Sequence, residues 1–177
     1  MRKAFFFLIV SSLLICCTQS TSSKNTPESI EGYAPVYAKS SDVNSIVIEP
    51  VTPTLNAGKI YAFGNYIFQN DQAKGIHIID NSNKSNPQKI AFLKIPYNTE
   101  IAVKGNFLYA NNLNDLVVFD ISNPAMPTLV KREPNVFPTV TQNYPMQNNV
   151  YFECVDAAKG IVIRWEKKTL TNPKCKR

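Results

Sequence analysis

The sequence predicts an all-β fold made of antiparallel four-stranded repeats in an incomplete stack of about three units. Three observations carry that prediction. A block read at residues 59–95 returns at 100–132, and a fainter third copy runs over 144–177. Landmarks recur at a fixed spacing: Gly64 and Asn65 return as Gly105 and Asn106, 41 positions on, while Asp80 returns as Asp120 and Pro87 as Pro127, each 40 on. Within a copy, short runs rich in β-branched and aromatic residues are separated by turn residues rather than by helical periodicity.

The chain begins with Arg2 and Lys3, followed by an apolar run at 4–15 interrupted only by Ser11 and Ser12. That run is too short to span a bilayer and has the layout of a signal peptide, here residues 1–16. It ends in Leu13, Leu14, Ile15, Cys16 and Cys17, an arrangement similar to a bacterial lipobox. Cys17 is the expected lipidation site, because it leaves the small Cys16 before the cut; Cys16 is the alternative. Residues 17–31 open with a polar stretch rich in Ser and Thr that has nothing to bury, and the whole segment is expected to be a flexible tether. From residue 32 the β-repeat domain should begin. Residues 32–38 and 45–49 read as extended segments, the latter as a candidate edge strand.

The first copy parses into strands near 60–63, 66–69, 76–79 and 88–95. Gly64 and Gly105, each before Asn, can supply the positive φ of a tight hairpin turn. Gly75 and Gly160 precede the third strand of their copies, and Asp115 takes that place in the second copy as a residue that tolerates a left-handed turn. Asp80 and Asp120 end the third strand, where a carboxylate can bond the backbone of the next turn. Pro87 and Pro127 open the fourth strand, where a missing donor does least harm. The drift from 41 to 40 fits a deletion in a turn, since GNYIFQNDQAKG in the first copy is one residue longer than GNFLYANNLND in the second. In the third copy, AKGIVI at 158–163 matches AKGIHI at 73–78. A four-stranded unit repeating every forty-odd residues is the signature of a β-propeller blade.

IHIID at 76–80 and LVVFD at 116–120, each followed by Ser-Asn and by a proline seven positions after the aspartate, resemble the LVIVD repeat. That family consists of bacterial and archaeal propeller-like proteins, frequently envelope lipoproteins. The resemblance implies a fold and an envelope setting, and it transfers no catalytic residue. The third copy departs from the pattern, with Arg164 or Trp165 where Asp should end the strand.

About 130 residues remain for the folded part, fewer than the roughly 160 that a ring of four blades needs. An open stack leaves strand edges unpaired, and Lys89, Lys94, Lys131 and Arg132 are placed to blunt them. Cys154 and Cys175 are expected to pair in an exported chain.

The chain holds 19 Lys and Arg against 13 Asp and Glu, four cysteines and one histidine. A lone His77, in a position filled by Val117 in the next copy, gives neither a triad nor a metal set, and packing is its expected role. No cofactor-binding or metal-binding residues are expected, and no phosphate loop is present. Asp71, Glu100, Asp115 and Glu153 are candidates for a carboxylate pair only because they lie near strand ends. The basic end at 159–177 reads as a solvated tail or as a contact for an anionic membrane surface or an acidic partner. Trp165, Tyr144 and Tyr151 are candidate patch residues, expected to be core; they are too few for nucleic-acid stacking, and no nucleic-acid partner is expected.

The expectation is therefore a lipid-anchored cell-envelope protein, facing the periplasm or the surface, with a non-catalytic binding or assembly module for a protein or glycan. The alternatives are a carbohydrate-active hydrolase with carboxylates at the blade mouths, or a piece of a longer propeller.

Overall fold

The structure, a computed structural model, describes residues 26–177. The expected signal peptide, both lipidation candidates Cys16 and Cys17, and tether residues 17–25 lie outside the described residues. The described chain starts with β1 (Ser29–Ala38), a short helix α1 (Ser40–Asn44) and β2 (Val47–Glu49). A strand thus begins at Ser29, inside the segment expected to be tether.

The first repeat is a meander of β3 (Ala57–Phe63), β4 (Tyr66–Asp71), β5 (Gly75–Asp80) and β6 (Gln88–Lys94). The second is a meander of β7 (Ile101–Lys104), β8 (Phe107–Asn112), β9 (Asp115–Asp120) and β10 (Thr128–Glu133). Gly64 and Gly105 close the first hairpin of each with φ +57° and +56°, a conformation that suits glycine at the first position of a primed turn. Three residues, 72–74, join β4 to β5, and two, 113–114, join β8 to β9; this is where the repeat loses a residue. The left-handed residues of these turns are Ala73 (φ 64°) and Leu113 (φ 55°). Asp115 is not left-handed. It starts β9, and its carboxylate accepts from Arg132 at 2.8 Å and from the Asn135 N–H at 3.1 Å, so a bonding role and not a backbone conformation explains Asp at this place.

Asp80 and Asp120 each accept the N–H of the serine two residues on, Ser82 and Ser122, at 2.8 Å. The Ser82 hydroxyl and N–H hold the Asp80 carboxyl below its usual range, and the Ser122 N–H and hydroxyl do the same for Asp120. Alternation along the strands then sorts the faces. Phe68, Ile76, Ile78 and Leu93 of the first repeat meet Leu108, Val117 and Phe119 of the second in one buried cluster. Each such side chain removed from water contributes roughly 1.5–3 kcal/mol, so this sandwich of two sheets is the main core.

β2 adds a fifth strand to the first repeat by pairing with β6, its Glu49 bonded to Lys94 at 3.0 Å. Residues 144–177 do not form a self-contained third meander. They supply β11 (Tyr151–Phe152), a 3-10 turn (Ala157–Lys159), β12 (Ile161–Thr171) and β13 (Cys175–Lys176), and β1 inserts among them to give the order β12-β1-β11-β13. β1 runs antiparallel to β12 from Ser29 opposite Thr171 to Ala38 opposite Ile161, and parallel to β11 at Tyr33 and Phe152. The reason is length. An 11-residue strand cannot satisfy its ladder on a two-residue β11, and residues 29–38 can cover it. The third sheet is therefore mixed, and none of the three sheets closes on itself.

Candidate interaction surface

The four carboxylates singled out as blade-mouth candidates are dispersed, and each is engaged. Asp71 accepts the N–H groups of Leu55 and Asn56, both at 2.8 Å, and lies 3.3 Å from His77 Nε2. Burial pushes its carboxyl up, but the two N–H groups and His77 outweigh burial and hold it below the usual carboxylate range. Glu100 is paired with Lys59, whose pKa it raises. Asp115 is paired with Arg132, and Glu153 with Lys168 at 2.8 Å. Of four clefts of about 210–430 Å³ among the described residues, none holds two carboxylates. Nor do three or more His, Cys, Asp or Glu gather among the described residues in a way that could hold a metal.

His77 is fully buried, with its ring 4.8 Å from that of Phe92. Burial lowers its pKa against the opposing pull of Asp71, so the ring is neutral and Nε2–H donates to Asp71, while Nδ1 has no partner. The pair holds residues 55–56 onto the first repeat; Lys89 holds the same loop further back through Thr52 O and Thr54 Oγ1. Lys89 and Lys94 thus tie down covering segments, where edge-blunting alone was expected of them.

A second polar assembly was invisible to motif reading. Asn70 and Asn111 occupy equivalent repeat positions, and both are bonded to the buried Asn98 in the linker between the repeats. Asn111 Oδ1 also accepts the N–H groups of Thr99 at 2.9 Å and Glu100 at 2.8 Å. The only sequence signal was that Asn recurs 41 residues apart at a strand end. Its effect is to fix how the inner strands β3 and β7 approach.

Beside that clamp opens a cleft of about 220 Å³, lined among others by Lys59, Tyr61, Glu100, Ala102, Tyr109 and Phe137. It offers aromatic faces next to an ion pair. A second cleft, of about 210 Å³, lies by Trp165, Tyr33, Met146 and Arg164. Trp165 donates Nε1–H to Thr141 O at 3.0 Å and meets the Phe152 ring edge-on at 5.6 Å, so it is largely packing. Tyr144 and Tyr151 carry Arg177 and Lys176 over their rings. The basic end is no tail: β12 and β13 hold most of it, and Lys167 and Lys168 lie within 4 Å of Glu31 and Glu153.

Cys154 and Cys175 form a disulfide, with Cα atoms 5.3 Å apart, that ties β13 back to the end of β11.

With the repeat geometry in view, comparison with known families is direct. Residues 56–99 and 97–132 each match the LVIVD repeat. The two copies are LVIVD repeats. The matched segments coincide with the two meanders, and Asp80 and Asp120 make the same turn bond in each. No curated protein and no solved structure matches the chain.

Proposed function

We propose that this chain is a lipid-anchored cell-envelope protein whose LVIVD-repeat domain is a non-catalytic binding or assembly module. The observation that carries the binding part is the inner cleft at β3 and β7: aromatic rings and one ion pair line an open recess, and its single carboxylate is engaged by Lys59. Glycoside cleavage needs two acids about 5–10 Å apart across a substrate, and the four candidate acids sit in separate surroundings. The anchoring part rests on the apolar leader and the Cys16 and Cys17 pair. The partner is a protein or glycan of the envelope, and the membrane is reached through lipid on Cys17.

Two measurements test this. Intact mass of the chain extracted from membranes should show loss of residues 1–16 and a lipid mass on Cys17; an intact leader sinks the anchoring. Capture from detergent-solubilised envelopes should return a reproducible partner that Tyr109→Ala weakens, and a clean preparation with no reproducible partner sinks the module.

A further inference from the structure

Among the described residues β2, β3, β7, β10, β12 and β13 end their sheets, and several of these edges are guarded. The outer edge of β6 is covered by β2. That of β10 carries Lys131 and Arg132 and runs straight into Pro134, which has no N–H to offer. β12 carries the charged residues Arg164, Glu166, Lys167 and Lys168, and Gln142 bonds both backbone groups of Val162. These are the devices by which natural sheets refuse a further strand. β3 has a register shift between Ala57 and Ile60 and the charge of Lys59 at its start, but from Ile60 to Phe63 it is regular and uncharged. Its sequence is AGKIYAF, Ile60 is 60 % exposed and Tyr61 37 %, and its one charge, Lys59, is neutralised by Glu100.

The register shows which backbone groups are bare. Phe63 and Tyr66 flank a two-residue turn and face each other, as do Tyr61 and Phe68. In an antiparallel ladder closed by such a turn, these two pairs exchange hydrogen bonds, and the intervening Ala62 and the next residue, Ile60, point their N–H and C=O away from β4. Among the described residues nothing bonds to those groups. β7 comes near β3 without pairing to it. Tyr61 and Lys59, two apart, face one side, and both line the inner cleft of about 220 Å³ together with Tyr109 and Phe137.

We propose that β3 is a strand-addition site: an extended segment of a partner protein pairs with Ile60 and Ala62 and sets one aromatic or branched side chain into the inner cleft. The next side chain on that face, two residues along, meets Lys59 and Glu100 and is polar. Main-chain bonds supply affinity that does not depend on sequence, and the ring-lined recess supplies selection for the apolar residue. This rests on the binding-module reading and names its partner as an extended polypeptide.

The test uses the purified full chain and a synthetic heptapeptide of alternating threonine and valine with a central phenylalanine. Residue-resolved amide exchange should slow at Ile60 and Ala62 as peptide is added, with β10 and β12 unchanged. Ala62→Pro, which removes an outward N–H, should weaken peptide binding at least about fivefold, the effect of one lost main-chain bond, and Ile60→Lys, which sets a charge on the edge at a solvent-facing side chain, should weaken it as well; both should keep the wild-type thermal transition. The proposal is overturned by protection appearing only on another edge, by no protection at millimolar peptide, or by Ile60→Lys binding like wild type. The envelope capture reads out separately: a partner held equally by wild type and Ile60→Lys leaves the module standing and removes this site.

Discussion

Opening the disulfide between Cys154 and Cys175 should destabilise the whole domain and not merely fray its end. The bridge closes a loop of 21 residues that contains all of β12, the strand on which β1 is zipped. Closing that loop removes about 11 cal/mol/K of unfolded-chain entropy, or about 3.3 kcal/mol at 25 °C. For a domain of this size each kcal/mol moves the transition by about 2–4 °C, so the Tm should fall by roughly 7–13 °C. The assay is calorimetry of the oxidised chain against the Cys154→Ser, Cys175→Ser double variant, with exchange monitored on β1 and β13. The opposing account holds that the bridge pins only β13, which otherwise has two ladder pairs, an N–H bond from Arg177 to Val150 and the cation contacts of Lys176 and Arg177. A Tm shift below about 2 °C, with protection lost only at 175–177, would refute the reasoning.

The remaining predictions concern the repeats. Gly75→Ala would drive a Cβ to 2.2 Å from Leu93 O and 2.9 Å from Ile95 N, backbone atoms that cannot step aside, and chemical denaturation should show a loss of at least about 3 kcal/mol. Gly64→Ala meets nothing within 4 Å and loses only through its positive φ, about 1–2 kcal/mol by the same assay. Asp71→Ala strips the acceptor from two N–H groups and from His77, and should cost about 3 kcal/mol in a urea titration. His77 has a folded pKa below the ordinary 6.5, so the unfolded chain binds the extra proton: its contribution is intact above about pH 6.5 and is lost as pH falls toward the folded value. Replacing it by the residue of the second repeat, His77→Val, should flatten stability against pH in that window. The acid loss from Asp71, which sets in as pH falls below its ordinary value of 3.8, should remain.

What could be read from residues alone was the local part of the fold. Strand runs, the Gly64 and Gly105 hairpins, the serine-bonded Asp80 and Asp120 and the shortened second turn are all set by neighbours a few positions apart. The candidate edge strand at 45–49 was visible for the same reason, as an alternating run. Partner choice was not visible. β1 lies beside β12 although more than a hundred residues separate Tyr33 from Lys167, its partner in the register, and no periodicity encodes that meeting. The match of AKGIVI to AKGIHI is real at the level of a glycine entering a strand, since a Cβ at Gly160 would strike Ala38 O as one at Gly75 would strike Leu93 O. The sheets built around those glycines nevertheless differ. His77 and Asp71 were read apart, one as packing and one as a candidate acid, because only pairing in the β4–β5 hairpin and the covering loop brings them together. Asn98 carries no motif at all, and its role exists only between two assembled repeats.

The most direct test of the account is the amide exchange of β3 in the free protein. A bare inner edge predicts alternation: Tyr61 and Phe63 exchange slowly because their N–H groups bond β4, while Ile60 and Ala62 exchange near the rate of an open chain. Equal protection at all four would mean that β3 is already paired on both sides. It would contradict both the open architecture and the docking edge built on it.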